Sequence, residues 1–176
     1  MLDLHHNRKI QRDNAKDVNR MELCIIEGDG IGHEVVPAAV KVLQTVLPDL
    51  VLHKARAGWD YFQETGKPID EDTVELVIKT GALLYGAANS PSYPVDNYYS
   101  PVVRLRRELK AHANIRPISY LPVPTARAGV DMIVVRENTE DVYIGQEELS
   151  QDTDTGIAHK VITRVATERI AHTCFQ

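Results

Sequence analysis

From Glu22 onward, short apolar runs of strand length alternate with segments whose apolar residues recur at helical spacing, and few folds accommodate that order. ELCIIE reads as a strand, Gly28-Asp29-Gly30-Ile31-Gly32 as a turn, and HEVVPAAVKVLQTVL as a helix with Pro37 near its first turn. VLHKARAG is a second strand. WDYFQETG and DEDTVELVIKT read as two short helices, the second opened by Asp70 with acidic residues in its first turn. ALLYGA, Ala82 to Ala87, is expected as a buried strand that delivers the loop ANSPSYPVDNYYSP. Strands separated by helices in this order predict a parallel sheet. Beyond the loop, VVRLRRELKAH has helical spacing, and NIRPISYLPVP and DMIVVREN read as strands around a turn at ARAG. The remainder is less regular: VYIGQEEL and IAHKVITR read as extended, SQDTDTG as their linker, and VATERIAHTCFQ as a helix that the chain end cuts off.

Composition excludes several classes of function. With 176 residues the chain can bury one core or begin two domains. Its 20 basic and 25 acidic side chains give a net charge of −5, which offers no footprint for nucleic acid. No apolar run approaches the ~20 residues of a membrane span, so a soluble protein is expected. Cys24 and Cys174 have no metal or redox spacing and read as buried thiols in a reducing compartment, the cytoplasm or, in a eukaryote, the mitochondrial matrix. His33-Glu34 continues as Val-Val-Pro, so it is not the zinc-binding HExxH, and DTDTG fails the calcium-loop spacing. Residues 1–20 lack apolar periodicity and any secretory h-region, which predicts a disordered extension and leaves Met21 as an alternative start.

Two patterns carry chemical content. Glycines at alternate positions between a strand and a helix allow a tight bend and close approach of an anion to the helix start. GDGIG is neither the GxGxxG dinucleotide fingerprint nor a phosphate loop, however, and a purely structural turn stands beside the ligand-binding one. The second pattern is Arg106, Arg116 and Arg136 on three successive elements, followed by Tyr143. Guanidinium groups bind carboxylates through paired charge-assisted hydrogen bonds. Taken singly each arginine reads as a solvated surface charge; together they suggest a trap for a small molecule with several carboxylates. Arg116 and Arg136 are expected at strand ends, Arg136 closing the buried run MIVV, where sites in open α/β sheets usually lie.

The segments IIEGDGIGHEVVPAA, AGWDYFQETGK, LLYGAANSP, YYSPVVRLRRELKAHANIRP and VDMIVVRENTEDVYI, in this order, resemble the N-terminal half of the isocitrate, 3-isopropylmalate and homoisocitrate dehydrogenase family. The resemblance runs from Glu22 to Gln176 and is strongest toward homoisocitrate dehydrogenases in FQETGK, SPVVRLRRE and DMIVVRENTED. It implies an α/β fold of the isopropylmalate dehydrogenase kind, a parallel or mixed sheet with flanking helices, left incomplete because the C-terminal half is absent. Residues 21–112 would then begin the large cofactor-side domain and residues 113–176 the second, dimer-forming domain, with VYIGQEEL to VITR as a clasping arm. By the same resemblance Arg106, Arg116 and Arg136 grip the malate-like carboxylates, and Tyr143 protonates the enol left after CO₂ departs. Ser90 contacts the variable side chain or the nicotinamide, and Ser100, Val102 and Val103 select the substrate. Gly30, Ile31, Asn89 and Ser90 meet the cofactor.

The implied activity is oxidative decarboxylation of a malate-type 2-hydroxy acid, homoisocitrate first and isocitrate or 3-isopropylmalate next. NAD, or NADP, would take the hydride, and Mg²⁺ or Mn²⁺ would assist, with its ligands and the lysine base expected in the missing half. The complete protein is expected to be a homodimer or higher oligomer, and this chain alone to be inactive. Ser100 keeps the serine common in isocitrate enzymes, but valine at 102, where they commonly carry asparagine, counts against a strict isocitrate enzyme. Valine at 103, where some homoisocitrate enzymes carry arginine, leaves that assignment open too. Arg104 is expected to be solvated. The contrasting possibility is a noncatalytic partner that binds a carboxylate ligand or an intact subunit.

Overall fold

A computed structural model describes residues 20–152 and 154–176. The extension expected over residues 1–20 lies outside the described residues except for Arg20. The chain packs as two compact units, one ending at Arg104 and the other starting at Leu105.

The first unit is built on β1 (Glu22–Gly28), which pairs in parallel with β2 (Val51–Ala55) on one side and β3 (Leu83–Ala87) on the other. A central strand covered on both faces must be apolar throughout, and Cys24, Ile25 and Ile26 are all buried. Helix α1 (Gly32–Val46) joins β1 to β2, while α2 (Trp59–Thr65) and α3 (Glu71–Thr80) join β2 to β3. Val36 of α1 and Val74 and Val77 of α3 complete the core with Ala57 and Ile69. Pro37 lies in the second turn of α1, past the position where a missing N–H is harmless, so the carbonyl of His33 loses its usual partner there. Glycines in left-handed conformation, Gly66 and Gly81, end α2 and α3. β3 departs from expectation, because Leu83, Leu84 and Tyr85 are only half-buried and Gly86 is exposed. It is an outer strand here, with β1 on one side alone.

Helix α4 (Pro101–Glu108) carries the division between the units. In the second unit, β4 (Ala113–Ser119) and β5 (Asp131–Glu137) form an antiparallel pair, and α5 (Arg164–Cys174) packs against β5. Two short strands, β6 (Glu147–Leu149) and β7 (Gly156–Ala158), make a separate hairpin.

Four expectations for this unit are corrected. The run MIVV is not buried: Met132, Ile133 and Val134 are exposed, since a two-stranded sheet leaves a face uncovered. Arg116 falls at the middle of β4 rather than at its end. VYIGQEEL is not uniformly extended, because Val142–Ile144 forms a 3₁₀ turn between Asp141 and Gly145, both at positive φ. Cys174, the last residue of α5, is exposed, whereas Cys24 is buried as expected. Among the described residues no helix is long and apolar enough to cross a membrane.

Candidate functional site

In the first unit the residues nominated for cofactor contact lie on the turn and the loop that one buried carboxylate ties together. Asp29, only 2% exposed, accepts the backbone N–H groups of Trp59 (3.0 Å), Asp60 (3.0 Å) and Asn89 (2.7 Å). It thereby fixes the start of α2 and the loop after β3 onto the end of β1. The glycines make room for this arrangement. A Cβ on Gly58, at φ +136°, would stand 2.2 Å from Asp29 Oδ1, and one on Gly28, at φ +75°, would stand 1.9 Å from the Ala87 carbonyl oxygen. The tight turn is thus a structural knot that presents Gly30 and Ile31 outward, with Ile31 exposed and open space above Gly30.

Asn89 is committed to the same knot through its N–H. Tyr98 fastens the loop from the far side, its hydroxyl donating to the Asn89 carbonyl at 2.8 Å. The Tyr98 ring meets Trp59 and Phe62 edge-on at 5.1 and 5.2 Å. Burial raises the Tyr98 pKa against a lowering hydrogen bond with Ser90, which places Ser90 beside that phenol. His33, at the start of α1, bridges Glu27 (3.0 Å) and Asp60 (3.3 Å); its pKa is raised, chiefly by the hydrogen bond to Glu27 and then by that to Asp60. It borders a cavity of about 610 Å³ with Glu27, Lys54, Arg56, Asp60 and Glu64, and none of the nominated residues lines that space.

At the entry to α4, Ser100 Oγ accepts from the Val103 N–H at 3.4 Å and Pro101 is buried, an N-cap followed by proline at the first helical position. Val102 and Val103 are half-buried. Arg104 is not solvated. Its side chain is 22% exposed, Nη2 donating to both carboxylate oxygens of Glu71 at 2.5 and 2.6 Å while Nη1 donates to the Tyr99 hydroxyl at 2.9 Å. Those partners, Glu71 first, hold Arg104 protonated more strongly than an ordinary arginine.

In the second unit, Arg136 donates to the Tyr143 hydroxyl and its guanidinium stands 5.3 Å from the centre of that ring. Asn114 lies opposite Arg136 in the ladder, so Arg116, two residues further along β4, points to the same sheet face as Arg136. Arg116 Nε donates to Asn114 Oδ1 at 2.8 Å. Arg116, Arg136 and Tyr143 are therefore brought together. Arg106 is half-exposed on α4, and among the described residues no hydrogen bond joins it to the other three. Its neighbour Arg107, which sequence reasoning passed over, ties the end of α4 to the turn by donating to the Tyr143 and Ile144 carbonyls at 2.9 and 3.5 Å.

The acidic run after Arg136 serves the same turn. The Glu137 carboxylate accepts the Thr139 hydroxyl and the Thr139 and Glu140 N–H groups; burial opposes its charge, but these bonds outweigh it and hold its pKa low. Glu140 accepts from the N–H and hydroxyl of Thr163, and Asp141 pairs with Lys160 at 3.1 Å. Each of these acids fixes the path between Arg136 and Tyr143. No group of three or more His, Cys, Asp or Glu side chains placed to hold a metal ion occurs among the described residues.

Residues 22–176 match the family described as isocitrate/isopropylmalate dehydrogenase. The chain belongs to that family. Among the relatives of this isocitrate/isopropylmalate dehydrogenase family member, the isocitrate/homoisocitrate dehydrogenase of Thermus thermophilus is 46% identical over 148 residues, covering 84% of this chain and 44% of the relative. The homoisocitrate dehydrogenase of Methanocaldococcus jannaschii is 38% identical over 168 residues, covering 89% and 48%. A crystal structure of isocitrate dehydrogenase from Methylococcus capsulatus superposes with a TM-score of 0.79 at 31% identity, covering 86% of this chain and 45% of that one. The chain thus spans somewhat less than half the length of the proteins it matches.

Proposed function

We propose that the chain forms part of an NAD- or NADP-dependent oxidative decarboxylase of a malate-type 2-hydroxy acid, with homoisocitrate the first candidate and isocitrate or 3-isopropylmalate next. The observation that carries this reading is the grouping of Arg116, Arg136 and Tyr143, with two guanidinium groups on one face of β4–β5 and a phenol hydrogen-bonded to one of them. Arginine suits carboxylates because it stays protonated and imposes orientation through its planar fork. Arg106 adds a third cation from α4. Tyr143, its oxygen held by Arg136, delivers a proton to the enol carbon once the β-carboxylate has left as CO₂.

A bound nicotinamide would supply the acceptor for the hydride on the hydroxyl-bearing carbon. Open space at Gly30 and the exposed Ile31 fit the approach of such a cofactor, and Ser90 lies on the adjoining loop. Asn89 can offer only its side chain, because Asp29 occupies its N–H. Among the described residues no cluster of acids is placed to hold Mg²⁺ or Mn²⁺. Residues 21–112 are proposed as the first part of a large domain and 113–176 as the start of a dimer-forming one. The β6–β7 hairpin, with Leu149 and Ile157 exposed, supports a homodimer contact.

The test is an assay of the protein expressed from its complete reading frame, with Mg²⁺ and either NAD or NADP, against the three acids. Coupled reduction of the nicotinamide and release of CO₂ with at least one acid is expected. Reduction without CO₂ release, or no turnover of any of them, contradicts the proposal.

A further inference from the structure

We propose that Arg104 and Glu71 act as positioning residues for substrate choice, bracing the first turn of α4 so that Ser100, Val102 and Val103 hold one geometry. The inference rests on the proposed function and on the expectation, from the family resemblance, that those three residues select the substrate.

Helix α4 is only eight residues long, too short to be stable by its own hydrogen bonds. Its N-terminal cap is a long one, with Ser100 Oγ 3.4 Å from the Val103 N–H. Its geometry must therefore come from outside. Arg104 supplies the link, since its backbone N–H closes the first turn on the Ser100 carbonyl at 3.1 Å while its side chain leaves the helix for α3. There Nη2 alone donates to both carboxylate oxygens of Glu71, a charge-assisted contact shared by one nitrogen. Tyr99, immediately before Ser100, receives the other arm of the same guanidinium. One side chain thus holds both flanks of the selecting residues.

The arrangement separates two tasks. Arg116, Arg136 and Tyr143 are carried by other elements, β4, β5 and the 3₁₀ turn. Releasing Arg104 should displace Val102 and Val103, its two preceding neighbours, and alter discrimination between acids more than the shared malate chemistry. A fixed helix entry also distinguishes substrates that differ by one methylene, for which pocket shape is the only available signal.

The experiment measures kcat/KM for two of the accepted acids with the protein from the complete reading frame, in wild type, Arg104→Gln, Arg104→Lys, Glu71→Gln and the exchanged pair Glu71→Arg/Arg104→Glu. Displacement of a positioning contact changes rates by up to about a hundredfold, and a shift of about tenfold in the ratio between the two acids is expected for Arg104→Gln and Glu71→Gln. Arg104→Lys should be intermediate, because it keeps the charge without the fork, and the exchanged pair should recover part of the ratio. Glu71 is 73% exposed, so Glu71→Gln keeps the test open if Arg104→Gln fails to fold. An unchanged ratio, with or without an equal loss on both acids, overturns the inference alone. A wild type that turns over no such acid overturns the proposed function and this inference with it.

Discussion

Replacing Asp29 by asparagine should unlock the first unit, and the size of the effect follows from which oxygen serves which donor. Oδ2 accepts from Trp59 and Asn89, and Oδ1 from Asp60. An amide keeps more bonds with its oxygen at the Oδ2 position, which sets its NH₂ against the Asp60 N–H and abolishes that contact. A hydrogen bond to a charged group contributes about 1.5–3 kcal/mol and a neutral one about 1. Losing one and weakening two therefore costs about 2.5–7 kcal/mol before the relief from burying a neutral group in place of a charge. A net loss of about 3 kcal/mol remains. That is a large fraction of the about 5–15 kcal/mol by which domains are stable. Trp59 is the only tryptophan and itself donates to Asp29, so its fluorescence in urea reports the transition directly. With a slope of about 2 kcal/mol/M the midpoint should fall by about 1.5 M. A loss below about 1 kcal/mol, the value of one neutral hydrogen bond, would refute the assignment of Asp29 as the knot of this unit.

Gly58→Ala should destabilise by more than Gly81→Ala in the same urea assay, because the added Cβ at 58 would stand 2.2 Å from Asp29 Oδ1 whereas at 81 it meets nothing within 4 Å. At Gly81 only the left-handed backbone is penalised, by about 1–2 kcal/mol; equal effects at the two positions would show that the clash is relieved elsewhere. His33 has a folded pKa raised above 6.5, so its contribution is fully present below that value and is lost as pH rises through the folded pKa. Stability should therefore decline toward pH 8 in wild type relative to His33→Asn, and parallel pH profiles of the two proteins would contradict the bridge to Glu27 and Asp60.

Much of the fold was legible because the pattern and the physics coincide. The parallel order around β1 followed from alternating strand and helix, and Asp70 with the acidic first turn marked the start of α3. Burial was read less well. MIVV is as apolar as a core strand, but a run of apolar letters records what a strand can pair with and not what covers it here. Arg104 was misread because helical spacing says which way a residue leaves its own helix, while Glu71, 33 positions earlier, is not near it in sequence. Asp29 was visible as the single acid among three glycines, yet three backbone donors from two distant segments cannot be inferred from spacing. Of the arginines, the ladder explains why Arg116 and Arg136 share a face, and Arg106 depends on the placement of a helix that no local pattern specifies.

The most direct measurement of the central claim is the kcat/KM of Arg136→Ala relative to wild type, in the protein from its complete reading frame, with each acid that it accepts. Loss of a charge-assisted contact of about 1.5–3 kcal/mol predicts a fall of about tenfold or more, of similar size for all of them because the malate-like carboxylates are common to every substrate. Unchanged kinetics, or a loss confined to one acid, would contradict the role proposed for Arg136 in holding those carboxylates.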